Sequence, residues 1–155
     1  MKASLHFKDG FEFETEIRDH KLTVDTQVAQ GGKNRGPSPK EILLAAIAGC
    51  SAMDMAALMR KYKIVSDRFD AHIESETTAT HPKVFKEVQL VFDISVPSVT
   101  EEQIQRLKES AHLSLTKLCG VSAMVNEVSP IVYSLKVNGE VRDQGRAQFQ
   151  VQKGT

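Results

Sequence analysis

Two cysteines, Cys50 and Cys119, are the residues of this chain with the most distinctive chemistry. A thiolate is a strong nucleophile, and two thiols that meet can be oxidised to a disulfide. Neither cysteine belongs to a C-x-x-C motif, and the five histidines have no metal-ligand spacing from each other or from a cysteine. The spacing therefore argues against zinc-finger and thioredoxin-type sites, and we expect neither a metal site nor a cofactor.

The composition narrows the class of protein. The chain has 155 residues, of which 41% are hydrophobic, and this predicts one ordinary domain with its own core. Twenty basic residues balance twenty acidic ones, which argues against a nucleic-acid partner. The first eight residues contain no apolar signal core, so we expect a cytoplasmic protein.

Cys50 lies within the clearest predicted element. Ser38 as N-cap, Pro39 at the first helical position and Glu41 at the third form a capping box. Residues 42–59 are then almost all apolar or small, and two basic residues follow them. A helix that is apolar on all sides is buried in a protein core or in a bilayer, and Asp54 near its middle favours the core over the membrane.

Short alternating stretches predict β-structure on both sides of this helix. Residues 5–24 read as three strands separated by turn signals at Asp9-Gly10 and at residues 18–21. Residues 69–73 and 84–96 predict a hairpin with one buried face.

Cys119 lies at the end of a second predicted helix. A capping box at residues 100–103 begins this helix, and Gly120 follows Cys119 at the expected stop. Its apolar stripe comprises Ile104, Leu107, Ala111, Leu115 and Leu118. The chain then continues with a short helical turn capped by Ser122, a last strand over 131–137 and a polar tail. The order βββ-α-ββ-α-β predicts an α+β fold of antiparallel sheets with segregated helices.

Three segments resemble the OsmC/Ohr family, the osmotically inducible protein C and organic hydroperoxide resistance proteins. Residues 37–50, PSPKEILLAAIAGC, are similar to the P-x-E-L-L-x-A-A-x-A-x-C pattern of that family's central helix. Residues 117–122, KLCGVS, resemble its C-x-x-S segment, and His81-Pro82 before a strand is similar to a recurring feature. The element order also agrees, so we expect an OsmC-like domain over 1–138 and a tail over 139–155. The run from Gly49 to Asp54 resembles the less-characterised OsmC-like branch.

This resemblance implies an intertwined homodimer with long central helices packed between sheets and active sites near the subunit interface. It also implies a thiol peroxidase that takes part in the oxidative stress response and reduces organic hydroperoxides. Cys50 would attack the peroxide and Cys119 would resolve the sulfenic acid as a disulfide. A dithiol reductant would then restore both thiols.

The residues that would activate Cys50 depart from the family pattern. In the hydroperoxide reductases an arginine from the N-terminal strands favours the thiolate, and a glutamate at the start of the central helix holds it. Here Lys40 occupies the glutamate position, with Glu41 one place later. Arg18 lies in the right region but out of register, and Arg35 lies in the loop before the helix.

Asp54 adds a negative charge one helical turn after Cys50, which disfavours the thiolate. A carboxylate in an apolar helix also needs a hydrogen-bonding partner. We therefore count Asp54, with Glu41, Arg18, Arg35 and Lys40, among the supporting candidates.

Two alternatives remain open from the sequence. One is a small-molecule binding or redox-sensing protein without peroxidase activity. If its cysteines are incidental, it predicts a wide apolar cavity and two distant sulfurs. The other is a purely structural dimer, which predicts unreactive thiols.

Overall fold

The computed structural model describes residues 1–150. The predicted α+β class is confirmed, with helices and two β-sheets. The described residues form two compact units, one of residues 1–45 and one that begins at Ala46, and the single domain expected over 1–138 stays a prediction.

The first unit contains an antiparallel sheet of three strands in sequence order. These are β1 (Ser4–Asp9), β2 (Glu12–Ile17) and β3 (His20–Val24). Both predicted turns are present, with Gly10 at φ 58° and Arg18 at φ 56°. Arg18 is exposed in the tight turn between β2 and β3.

A buried carboxylate organises the loop that follows β3. Asp25 accepts hydrogen bonds from the backbone N–H groups of Thr26, Lys33 and Arg35, at 2.7, 3.0 and 3.0 Å. These bonds, that of Arg35 first, hold the pKa of Asp25 below its usual value. The loop also needs Gly32, since a Cβ there would lie 2.0 Å from the Thr26 carbonyl oxygen. The backbone of Arg35 is therefore held by Asp25, and its guanidinium forms an ion pair with the Glu12 carboxylate at 3.0 Å.

The helix α1 (Pro39–Lys61) begins with the predicted capping box. The backbone N–H of Ser38 donates to Glu41 Oε2 at 2.7 Å, and the N–H of Glu41 donates to Ser38 Oγ at 3.4 Å. Two of the amides that lack an intrahelical partner at the start of the helix are thereby satisfied. Hydrogen bonds from Ser38 also hold the pKa of Glu41 below its usual value.

Burial of α1 is lower than its composition predicts. Only 28% of its most apolar stretch is buried, although the helix is long and apolar enough, by length and composition, to cross a membrane. One exposed stripe within the second unit consists of Ala46, Gly49, Met53 and Ala56. The expectation of a helix buried all round is thus wrong for one chain by itself.

The second unit contains a four-stranded sheet in the order β4-β5-β6-β7. Its strands are β4 (Arg68–Glu74), β5 (Val88–Ser95), β6 (Ile131–Val137) and β7 (Glu140–Arg146). The predicted β4–β5 hairpin is confirmed, and the side chains of β5 alternate between a buried and a more exposed face.

Two expectations about this sheet are wrong. First, β5 and β6 pair in parallel, so the sheet is mixed. The helical segment between these strands is a crossover long enough to return the chain in the same direction. Second, the polar stretch from residue 139 does not begin a tail, because β7 pairs with β6. Its turn is Asn138-Gly139, both at positive φ, a strong hairpin signal that the polar composition obscured. Residues 151–155 of the expected tail lie outside the described residues.

One helix packs its predicted stripe into the core of this unit. The helix α2 (Glu101–Leu113) begins with the capping box of Thr100 and Gln103. Four stripe residues are 3% exposed or less, and only Leu118 departs from the prediction, at 50% exposure. The buried face of the sheet lies across from them, with Phe92 fully buried at the middle of β5.

Candidate active site

The segment after α2 carries Cys119 in a geometry that the sequence did not predict. A single π-helical turn (Ser114–Leu118) follows α2, and the backbone N–H of Cys119 donates to the Ser114 carbonyl at 3.0 Å. Such widened turns are rare and are often found at functional sites. Cys119 then leaves the helix with φ −73° and ψ 99°.

A short helix, α3 (Gly120–Asn126), starts directly after Cys119. Gly120 therefore begins a helix rather than ending one, and the cap is Cys119 rather than the expected Ser122. The N–H of Ser122 donates to Cys119 Sγ at 3.3 Å, and the Cys119 thiol lies 2.9 Å from Ser122 Oγ. This sulfur is held firmly, with the residue only 1% exposed.

The other side of the site is one turn of α1. Cys50 is half-buried, and Ser51 beside it is fully buried. Asp54 lies one turn further along the helix. The hydroxyl of Ser114 donates to Asp54 Oδ2 at 3.0 Å, which supplies the partner that this carboxylate requires.

Two thiols and one carboxyl group lie close together between α1 and the start of α3. The sulfurs of Cys50 and Cys119 and a carboxylate oxygen of Asp54 all lie within 4.8 Å of one another. Ser122, which contacts Cys119, also has its hydroxyl 3.0 Å from that of Ser51. The site therefore offers two thiols close together on a base of buried, hydrogen-bonded serines.

The surroundings of Cys50 oppose its ionisation. Burial is the largest effect that raises the pKa of its thiol, and Cys119 and the charge of Asp54 raise it further. The backbone N–H of Val121 acts in the opposite direction. None of the groups that shift this pKa is a cation, within the part of the chain that the structure describes. Burial likewise raises the pKa of Asp54, and Ser114 partly offsets this.

The remaining supporting candidates belong to the unit of residues 1–45. Glu41 takes part in the capping box of α1, and Arg35 pairs with Glu12. Lys40 is exposed in the first turn of α1, and Arg18 is exposed in its β-turn. Their roles toward Cys50 stay predictions.

Sequence reasoning missed the polar base of the site. Ser51, Ser114 and Ser122 are all fully buried. Two features of the sequence point to this base: Ser51 stands within the mostly apolar stretch of residues 42–59, and Ser122 is the serine of the C-x-x-S segment. The contribution of Ser114 depends on the π-helical turn, which no local pattern indicated.

Two grooves among the described residues of the second unit do not include either cysteine. One, of about 380 Å³, has a mostly apolar lining at the C-terminal end of α1. Its lining residues are Ala56, Met59, Arg60, Lys63, Ile64, Val65, Ser66 and Phe69. It does not include either cysteine, so the thiol site is a separate feature.

Comparison with known proteins gives consistent matches over most of the chain. Residues 31–134 match the family model described as OsmC-like protein. The protein YhfA of Escherichia coli K12 is 25% identical over 138 residues, which cover 88% of this chain and 98% of YhfA. A hypothetical protein from Aquifex aeolicus superimposes with a TM-score of 0.75 at 22% identity, covering 88% of this chain and 95% of that one. An organic hydroperoxide resistance protein OsmC from Legionella pneumophila gives a TM-score of 0.59 at 20% identity, with 88% and 94% covered.

Proposed function

This chain belongs to the OsmC-like protein family, and from that premise we propose that it is a cysteine-based thiol peroxidase that reduces organic hydroperoxides in the cytosol. The observation that carries the proposal is the approach of the Cys50 and Cys119 sulfurs to within 4.8 Å. The organic hydroperoxide resistance protein of Legionella pneumophila, which shares the fold, supports the choice of substrate class.

The two cysteines differ in a way that suits a division of roles. Cys50 is half-buried and therefore reachable, whereas Cys119 is 1% exposed. In the proposed reaction the Cys50 thiolate attacks the outer peroxide oxygen, the O–O bond breaks, and the alkoxide leaves and takes up a proton. Cys119 then displaces water from the sulfenic acid, and an external dithiol reduces the resulting disulfide.

The alternative of a binding protein with incidental cysteines has less support. It predicts two distant sulfurs, and they are close. It also predicts a wide apolar cavity, and the mostly apolar groove at the C-terminal end of α1 is the feature that such a protein would use.

The direct test is the product of a single peroxide reaction. One equivalent of cumene hydroperoxide, added to reduced protein, should convert the two free thiols into one intrachain disulfide. Intact-mass and peptide mapping would detect the loss of two hydrogens and the Cys50–Cys119 link. Recovery of two free thiols after complete mixing, in correctly folded protein, would refute the proposal.

A homodimer is the proposed assembly, supported by the apolar residues that α1 leaves exposed. Met53 on this helix is 74% exposed, and Met124 on α3 is 71% exposed. Apolar surface of this kind marks interaction sites, and a second copy would return α1 to the buried environment that its composition favours.

We expect Met53→Glu to convert the dimer to a monomer. A carboxylate buried without a partner costs about 3 kcal/mol or more, equivalent to a loss of at least ~100-fold in dimer affinity. Size-exclusion chromatography with light scattering would measure the mass. The matched control is Val141→Glu on β7, where the valine is also exposed, at 51%. A Met53→Glu protein that remains dimeric at micromolar concentration would contradict this interface.

A further inference from the structure

The three side chains at the site also have the chemistry of a metal-binding set. Thiolates and carboxylates are both zinc ligands, and two sulfurs with one further protein donor leave a fourth position open, as in catalytic zinc sites. Around a tetrahedral ion with metal–sulfur bonds of about 2.3 Å, two sulfurs lie about 3.8 Å apart. The two sulfurs lie within 4.8 Å of each other, which is at most about 1 Å beyond this spacing.

The three donor atoms are close enough to act together on one ion. Two sulfurs and a carboxylate oxygen lie within 4.8 Å of one another, and a divalent cation attracts all three donors at once.

The outer contacts match those of a built metal site. Ligands of bound metals are oriented by hydrogen bonds from neighbouring groups. Here the N–H of Ser122 donates to Cys119 Sγ, and the hydroxyl of Ser114 donates to Asp54 Oδ2. Each of these two ligands is thereby fixed before any ion arrives, and Cys50 is carried on the same helix as Asp54.

We propose that the reduced chain binds one thiophilic divalent cation, represented by Zn²⁺, through Cys50, Asp54 and Cys119. The two thiols lose their protons to the buffer on binding, and no electron is transferred. This inference replaces the sequence-based expectation of no metal. It goes beyond the proposed peroxidase, since it requires only reduced thiols and no peroxide turnover. A Cys50–Cys119 disulfide removes both sulfur ligands, so cation binding is confined to the reduced protein.

Cobalt substitution provides the test, because tetrahedral Co²⁺ bound to thiolates gives a charge-transfer band and intense visible bands. Reduced, chelator-treated protein titrated anaerobically with Co²⁺ should show both at one ion per chain, and Zn²⁺ should abolish them. Cys50→Ser and Cys119→Ser should each lose a large part of the charge-transfer intensity. Asp54→Asn and Ser114→Ala should bind at least about tenfold more weakly.

Matched controls separate ligation from a general effect on the fold. Ser110→Ala changes a second fully buried serine, in α2, whose hydroxyl donates to the Arg106 carbonyl, and should leave affinity unchanged. Asp143→Asn changes a half-buried aspartate that accepts from Tyr133, with the same expectation. Circular dichroism would check that each variant is folded.

The inference is overturned if folded, reduced wild-type protein gives no charge-transfer band. It is also overturned if the band has full intensity in both cysteine variants, or if Asp54→Asn binds as tightly as wild type. The hydroperoxide reaction is assayed separately with chelator present, so its failure would count against the peroxidase alone.

Discussion

Replacing Cys50 by serine is expected to abolish hydroperoxide reduction, with a loss on the order of 10³-fold or more in the turnover rate. A serine hydroxyl is almost never ionised at neutral pH, and as an alcohol it has no oxidation state corresponding to a sulfenic acid. The side chain is nearly isosteric, so the fold should persist. Loss of cumene hydroperoxide under a dithiol reductant, followed by a colorimetric peroxide assay, would measure the effect.

Cys119→Ser is the matched control for this variant. It retains the attacking thiol but lacks the resolving one, so it should consume about one equivalent of peroxide quickly. Its product is a sulfenic acid on Cys50 that a trapping reagent such as dimedone labels. If Cys50→Ser consumed peroxide as fast as the wild type, the assignment of roles would be wrong.

The groups around Cys50 determine how easily its thiol ionises, and therefore how fast it can react with peroxide. The sequence already placed Asp54 one turn from Cys50, and the structure gives the expected direction, because the carboxylate raises the pKa of the thiol. Burial proves to be the larger effect, which spacing along a helix cannot supply. A rapid reaction in the wild type would therefore require a cationic group near Cys50. Arg18, Arg35 and Lys40 stay the candidates in this chain for that role.

Local patterns predicted the elements that carry the two cysteines. The capping boxes at Ser38 and Thr100 correctly marked the starts of α1 and α2, because they depend on residues three positions apart. The C-terminal ends of the helices were harder to predict. Gly120 has the composition of a helix stop, but the chain turns at Cys119 and starts a new helix at the glycine itself.

Long-range pairing was the part of the fold that local patterns could not determine. The parallel pairing of β5 with β6 depends on where the crossover through α2 and α3 places the chain. The convergence of Cys50, Asp54 and Cys119 is of the same kind, because it joins two residues of α1 to the N-cap of α3, far apart in sequence. The family resemblance, rather than periodicity, indicated that the two cysteines meet.

Phe92→Ala is expected to lower the free energy of unfolding by about 3–5 kcal/mol. The period-two pattern of β5 predicts that Phe92 faces the core, and its side chain is fully buried, with its ring centroid 6.2 Å from that of Phe69. Truncation removes the transfer free energy of the ring and leaves a cavity in a close-packed interior. Urea unfolding at one fixed protein concentration should show a lower midpoint with an unchanged slope.

Val91→Ala, one position earlier on the opposite face of β5, is the control for this effect. Val91 is only half-buried, so its truncation should cost about 1 kcal/mol or less. The difference between two adjacent substitutions measures the alternation of faces directly, because a shift of register by one residue would exchange them. Equal destabilisation by both variants would show that β5 does not present Phe92 to the core. The sheet of the second unit would then need a different register from the one that pairs Phe92 with Ala71 and Leu135.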